Sequence, residues 1–524
     1  MQHHGGTLAA NDISVHRGAD AILERVSVAV TPGSRIGVVG PNGRGKTTLL
    51  RALAGLEELD GGSVSRNPPS LRVGYLPQER DLRPDEGLLE YLARRTAEDP
   101  TAEFEARARS ALRRVGLDVS LARDVAGLSG GEKSRAALAS ILLARFHVYL
   151  LDEPTNDLDF AGLDLLERFL LGIEGGVVLV SHDRALLDRT ANRIVELSAK
   201  PKVSAAQRRE PKAWVREYSG GWSEFEAARE RARAEHERAF AEWSEERARF
   251  GELHQDRREQ ARAAGKQANR RGTHALMSKT RAAARRVEWL ERDRVEKPWQ
   301  PWELKLDLAP AGRSGDLVVA LDGAVLERGA FRLGPIDLDV RWGERLSIAG
   351  PNGSGKTTLI DALLGRLPPA AGTRRSGPSV VFGEIGQARS LFAPDEPLIA
   401  SFCAQSSLTH GEARSLLAKF DLYAEHVERP AAKLSPGERT RAELALQAAR
   451  GAGCLVLDEP TNHLDLPAVE ELERALGVFD GTLILVTHDR RFLERVGVSR
   501  VFELSREAPD RDRPRAPRRP RGRH

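Results

Sequence analysis

A glycine-rich segment, Gly40-Pro41-Asn42-Gly43-Arg44-Gly45-Lys46-Thr47-Thr48, returns far along the chain as Gly350-Pro351-Asn352-Gly353-Ser354-Gly355-Lys356-Thr357-Thr358. After each copy the same landmarks follow in the same order. They are a glutamine in a strand-like context (Gln78, Gln387) and an L-S-x-G-E segment (Leu128 to Glu132, Leu434 to Glu438). Then come an apolar run ending in D-E-P-T-N (Asp152 to Asn156, Asp458 to Asn462) and a strand ending in S/T-H-D-R (Ser181 to Arg184, Thr487 to Arg490). One glycine-rich match can arise by accident. Five ordered motifs at matched spacing do not, so the chain is two fused copies of one unit.

Within each copy, short β-rich runs alternate with helical stretches. Arg35-Ile36-Gly37-Val38-Val39 is a strand feeding a glycine loop and then a helix from Lys46. His147 to Leu151 and Gly176 to Val180 are further apolar strands, matched by Leu455 to Leu457 and Leu483 to Val486. Unbroken apolar runs suit strands covered on both faces, hence a parallel α/β core. The expected fold class is α/β, with two tandem P-loop domains over 7–200 and 313–505 joined by a helical segment over 222–297. The tail, 506–524, is rich in Arg and Pro and too poor in apolar residues to fold alone.

Formal net charge is only +4, so its distribution matters more than its sum. The two cysteines, Cys403 and Cys454, have no CxxC spacing and read as core or near-core residues in a reducing compartment. No run approaches the ~18 apolar residues needed to span a bilayer. Met1 to Gly6 lacks the basic and apolar regions of a signal peptide. A cytoplasmic location is expected.

The repeated motifs carry phosphate chemistry. P-loop glycines let backbone N–H groups approach phosphate oxygens, and the following helix adds its positive end. Gly40, Pro41, Asn42, Gly43, Gly45, Lys46, Thr47 and Thr48 form the first cradle; Gly350, Pro351, Asn352, Gly353, Gly355, Lys356, Thr357 and Thr358 form the second. Lys46 and Lys356 are placed to reach the β- and γ-phosphates, and Thr47 and Thr357 to ligand Mg2+. Asp152 and Asp458 end apolar strands, where a carboxylate holds Mg2+ directly or through water. Glu153 and Glu459 follow and suit a base for the attacking water, a role worth about 10²–10⁴ in rate. His182 and His488 close the next strand, positioned for the γ-phosphate. Gln78 and Gln387 are read as sensing the metal and the water. ATP and Mg2+ are the expected cofactors.

The L-S-x-G-E segment resembles the signature of ATP-binding cassette proteins. In that family the signature serine and glycine contact nucleotide held by the opposite cassette. The resemblance implies one site from Lys46, Gln78, Glu153 and His182 capped by Ser435 and Gly437, and another from Lys356, Gln387, Glu459 and His488 capped by Ser129 and Gly131. ATP would clamp the cassettes together and hydrolysis would release them. Two departures stand out. Pro436 replaces the residue that is Gly130 in the first signature, which implies competence without equality of the two sites. The position where such cassettes stack an aromatic ring on adenine falls near His16-Arg17 and Leu326, neither of them well suited.

Ser223 to about Asp256 reads as one helix of roughly 50 Å. Phe240, Trp243 and Phe250 share a face, and a return helix from about His274 to Glu296 offers Ala283, Val287 and Leu290 as a matching stripe. The pattern predicts an antiparallel hairpin. Between Arg257 and Arg286 there are ten Lys or Arg against one acid, Glu259. One-signed charge confined to the far end fits phosphate contact, and with little aromatic content it fits the shape of folded RNA. Twin cassettes, D-E-P-T-N-x-L-D after each apolar strand and a charged helical linker resemble the ABC-F family. Asp157 departs from its usual histidine, which His463 keeps.

That resemblance implies a monomeric ATPase that enters the E site of the 70S ribosome with ATP bound. Its linker acts as a P-site tRNA-interaction motif beside rRNA and the peptidyl-transferase centre. The stretches Leu434 to Arg441 and Ala275 to Lys279 look like ribosome-protection members that confer antibiotic resistance. A general translation factor remains the alternative. So does the ATPase subunit of a transporter with a separate permease, although a basic-tipped hairpin does not favour it. A DNA-repair or chromosome ATPase fits poorly, since zinc-binding cysteine pairs are absent.

Overall fold

The structure, a computed structural model, describes residues 6–18, 20–78, 83, 85–96, 98–144, 146–156, 158–197, 215–264, 281–282, 284–292, 294–295, 316–386, 391–462 and 464–504. The first cassette opens with an antiparallel sheet. Its central strand β1 (Thr7–Arg17) lies between β2 (Asp20–Val30) and β4 (Gly61–Asn67). Alternate β2 residues are buried, as expected of a strand with one wet face.

The main sheet has the order β5-β6-β7-β3-β8-β9, built from β3 (Arg35–Val39), β5 (Val73–Leu76), β6 (Val148–Asp152), β7 (Gly176–Val180), β8 (Arg193–Leu197) and β9 (Val215–Ser219). It is parallel except for β9. Every residue of β6 and β7 is buried. Their two faces feed different cores. One packs on the antiparallel sheet and α1 (Lys46–Ala54), through Val38, Leu49, Val148 and Val178. The other packs on the helices α2 (Leu88–Thr96), α3 (Ala102–Arg114), α4 (Gly130–Leu143) and α5 (Phe160–Gly172), through Phe104, Leu138, Leu151 and Leu179.

The second cassette repeats this plan. β10 (Leu317–Arg328) lies between β11 (Phe331–Arg341) and β13 (Ala371–Ser376). A five-stranded parallel sheet then runs β14-β15-β16-β12-β17, from β12 (Arg345–Ala349), β14 (Phe382–Gly386), β15 (Cys454–Asp458), β16 (Thr482–Val486) and β17 (Arg500–Glu503). Cys454 is buried and Cys403 half-buried, both as free thiols.

Between them α6 (Arg184–Thr190) and β9 lead into α7 (Trp222–Ala264), 43 residues long. That is about 65 Å of helix, longer than the stretch ending near Asp256 that the charge pattern implied. The segment past Asp256 is rich in Arg, Gln, Glu and Ala, which favour helix whatever their charge. Residues 281–282 and 284–292 are helical and run antiparallel to it. Trp243 Nε1 donates to the Leu290 carbonyl at 2.9 Å, and Arg286 Nη2 to Glu246 at 2.6 Å. Ala283, the basic stretch over 265–280, Gln387, Asp157, His463 and the 506–524 tail lie outside the described residues.

The root of α7 is held by both cassettes. Trp222 and Phe225 are buried in the first. Arg491 of the second donates to Asp188 at 2.6 Å and to the Ser223 hydroxyl at 3.0 Å, while Arg495 reaches Glu226 at 3.2 Å. Arg229 on α7 reaches Glu470 at 3.3 Å. No helix among the described residues is long and apolar enough to cross a membrane.

Candidate active site

Both P-loops face one cleft between the cassettes, a cavity of about 1200 Å³. α1 begins after Gly45, which adopts the left-handed region at φ 86°; Gly355 does the same at φ 98° before the helix Lys356–Leu363. Neither helix has a side-chain cap, so its first N–H groups remain available to an anion. Lys46 Nζ donates to the carbonyls of Gly40 (2.7 Å) and Pro41 (3.3 Å) and to Asn42 Oδ1 (3.4 Å). Lys356 makes the same three bonds to Gly350 (2.8 Å), Pro351 (3.3 Å) and Asn352 (3.4 Å). Burial lowers both ammonium pKa values, and neighbouring carboxylates oppose that shift.

Asp152 and Asp458 end β6 and β15 beneath these loops. Thr357 Oγ1 donates to Asp458 Oδ2 at 3.3 Å. Burial raises both aspartates, against the pull of the threonine hydroxyls and the lysines. Both Asp152 oxygens are shut off from solvent and lack a full hydrogen bond from the protein. Among the described residues no three His, Cys, Asp or Glu side chains are grouped to hold a metal by themselves. One carboxylate and one hydroxyl beside a phosphate cradle is the donor set Mg2+ accepts, since it takes few protein ligands and completes its shell with phosphate and water. The residues present fit that ion.

Glu153 and Glu459 turn sharply out of their strands at φ 49° and 48°. A non-glycine residue held in the left-handed region carries strain, and such strain gathers at functional positions. Their N–H groups donate to Val180 (2.9 Å) and Val486 (2.7 Å), which fixes the turn. Burial pushes each carboxyl up to about 8, while the nearby lysine opposes it. His182 Nε2 lies 3.2 Å from Glu153 Oε1, and His488 Nε2 lies 3.4 Å from Glu459 Oε1. Burial and then the adjacent lysine hold His182 down at about 3 and His488 at about 4. Each site thus sets an imidazole held neutral beside a carboxyl whose proton affinity burial has raised.

The L-S-x-G-E segments prove to be helix caps. Ser129 accepts from Glu132 N (3.4 Å) while Glu132 Oε2 accepts from Ser129 N (2.8 Å), and Ser435 and Glu438 repeat the arrangement. This reciprocal box satisfies two orphan donors at the start of α4 and of the helix Pro436–Ala449. Pro436 sits in the first turn, where the N–H that proline lacks would have had no partner within the helix.

Ser129 and Gly131 line the cleft beside Asn352 of the opposite cassette. A Cβ on Gly131 would lie 3.1 Å from Asn352 Nδ2. The lining includes neither Ser435 nor Gly437; a Cβ on Gly437 would meet Ala468 of its own cassette at 3.2 Å. Gln78, Thr48 and Thr358 also line the cleft. So the second P-loop is brought together with the first signature, and the first P-loop is not brought together with the second.

Three groups with no role assigned from the sequence also belong here. Asp159 and Asp465, the last residues of D-E-P-T-N-x-L-D, cross the interface: Asn352 N donates to Asp159 (3.1 Å) and Asn42 N to Asp465 (3.2 Å). Their matched place in both copies was the available signal. Phe331 lines the cleft and sits against Gly355, whereas Leu326, the expected ring-stacking position, is 0% exposed in the β10 core. The β10–β11 turn carries the chain past Leu326 and delivers Phe331 instead. In the first cassette Arg17 and Ile22 line the cleft, while His16 is turned to Asp60 (3.1 Å). Third, Arg184 crosses to the second cassette, donating to Glu473 (3.1 Å) and lying 3.6 Å from Asp489.

The sequence pattern of the ABC transporter family matches residues 23–156 and 333–462. The tylosin resistance ATP-binding protein TlrC of Streptomyces fradiae is 35% identical, covering 90% of this chain and 93% of its own. The energy-dependent translational throttle protein EttA of Escherichia coli (strain K12) is 31% identical, covering 91% of this chain and 88% of its own. Among solved structures, the RNase-L inhibitor superposes with a TM-score of 0.60 at 22% identity, covering 94% of this chain and 87% of its own, which speaks to the fold alone. The paired phosphate cradles, the polarised glutamates and these relatives agree: the chain is an ATPase and belongs to the ABC-F family.

Proposed function

We propose that this protein is a cytoplasmic, monomeric ribosome-protection ATPase. With ATP bound it enters the E site of the 70S ribosome, and its hairpin contacts P-site tRNA and rRNA near the peptidyl-transferase centre to dislodge an antibiotic. The observation that carries the reading is the likeness to a tylosin resistance protein across nine-tenths of this chain. The long helix α7, rooted against both cassettes with the antiparallel helical stretch 284–292 beside it, supports it.

At each site the P-loop lysine and helix N-terminus bind the phosphates, and the threonine and aspartate (Thr47 and Asp152; Thr357 and Asp458) would hold Mg2+ with Gln78 and Gln387. The ion would draw charge from the phosphate oxygens. Glu153 and Glu459 orient and deprotonate the attacking water. His182 and His488 stand by the terminal phosphate. Asp159 and Asp465 tie each P-loop to the opposite cassette, Ser129 with Gly131 complete the second site from across the cleft, and Ser435 with Gly437, which stand outside the cleft here, would complete the first on further closure. Closing the cleft and moving the hairpin root become one event.

The likeness to EttA favours a second reading, a general translation factor. Purified protein added to in vitro translation stalled by tylosin separates the two. Protection predicts recovery of synthesis with the drug and little effect without it. A change in drug-free synthesis with no recovery under drug would support the general factor.

A further inference from the structure

Phe160 opens α5, directly after Asp159. It belongs to the first cassette, yet its ring meets the His488 imidazole of the second edge-on, with centroids 5.0 Å apart and planes at 79°. The Arg490 guanidinium lies 5.6 Å over the same ring. One turn further along α5, Asp164 accepts from Arg490 at 2.6 Å. One helix of the first cassette therefore grips the segment that carries the second cassette's histidine.

The opposite side is built differently. Leu466 stands at the matching position and is buried against the first cassette's core. Arg184, the counterpart of Arg490, turns to Glu473 and Asp489. Among the described residues no aromatic ring meets His182.

His488 needs such a hold. Its Nε2 lies 3.3 Å from Lys356 Nζ and 3.4 Å from Glu459, but its Nδ1 is buried without a hydrogen bond. A functional imidazole is ordinarily oriented by a bond at its second nitrogen. With that bond lacking, the ring contact is what fixes the plane of the imidazole, through the attraction of a ring edge for a ring face.

We propose that Phe160 is a positioning residue acting in trans on the second ATP site. It aligns His488 with Lys356 and Glu459, and only while the cassettes are closed, because it comes from the other cassette. The second site is thereby made dependent on closure in a way the first is not. This rests on the reading of His488 as a group acting at the terminal phosphate.

The test uses full-length protein with one site silenced. In the Glu153→Gln background, where only the second site turns over, Phe160→Leu should lower kcat about two- to tenfold, the range an aromatic pair supports, with KM for ATP within about twofold. Phe160→Tyr, which keeps the ring, should restore kcat. In the Glu459→Gln background Phe160→Leu should leave kcat within about twofold. Equal losses in both backgrounds, an effect on KM alone, or no effect would overturn the proposal. His488→Ala in the Glu153→Gln background separates the two layers. If it leaves kcat intact, the reading of His488 fails. If it abolishes turnover while Phe160→Leu does nothing, only the positioning role fails.

Discussion

The chemistry of this protein is concentrated in a few side chains whose surroundings oppose their ordinary ionisation. Glu153 and Glu459 occupy a strained backbone region, at φ 49° and 48°, that costs of order 1–3 kcal/mol. Burial raises each carboxyl to about 8. A carboxyl raised in the folded state binds more protons there than when unfolded. Below the unfolded value, near 4.5, it is neutral in both states and costs nothing. As pH climbs from there through about 8, the unfolded chain ionises first and stability falls. Glu153→Gln, which cannot ionise, should therefore melt higher than the parent at pH 8 and nearly with it at pH 4.5, both measured without nucleotide. A stability gain of equal size at both pH values would refute the assignment.

At the scale of elements, the L-S-x-G-E segment has a double use. Before it meets any nucleotide it caps a helix. Ser435→Ala should destabilise the nucleotide-free protein by about 1 kcal/mol, read as a drop of roughly 2–4 °C in Tm for a unit of this size. An unchanged Tm would mean that the box Ser435–Glu438 contributes nothing. This element also shows what the sequence could and could not disclose. The strands, P-loops and paired carboxylates were legible because apolar runs, glycines and acids recur at fixed offsets. Such local patterns survive without three-dimensional information. Phe331 was not legible, because the register of the β10–β11 turn, rather than any motif, decides that Leu326 faces the core and Phe331 the cleft. Phe160 escaped for a related reason: its partner lies in the other cassette. The extent of α7 past Asp256 was hidden by a charge run that is nonetheless helix-forming.

Across the whole molecule, the cassettes, the cleft and the hairpin form one connected body. Asp159 and Asp465 tie each P-loop to the opposite cassette. Arg184, 3% exposed, fastens the first histidine segment to Glu473. Arg491 and Arg495, on the helix that follows His488, hold the first turns of α7 at Ser223 and Glu226. Removing one partner from the buried pair Arg184–Glu473 leaves an uncompensated charge and costs about 3–5 kcal/mol, so this tie resists loosening. On the proposed function, ion pairs that span the interface are the route by which a change at either phosphate site would reach the root of α7. On the same reading, ATP is the gate for RNA engagement. Its most direct test is co-sedimentation of the Glu153→Gln, Glu459→Gln double variant with 70S ribosomes, in ATP and without nucleotide. The protein is expected to pellet with ribosomes in ATP and to stay in the supernatant without it. Failure to pellet in either condition, or equal pelleting in both, would contradict that gating.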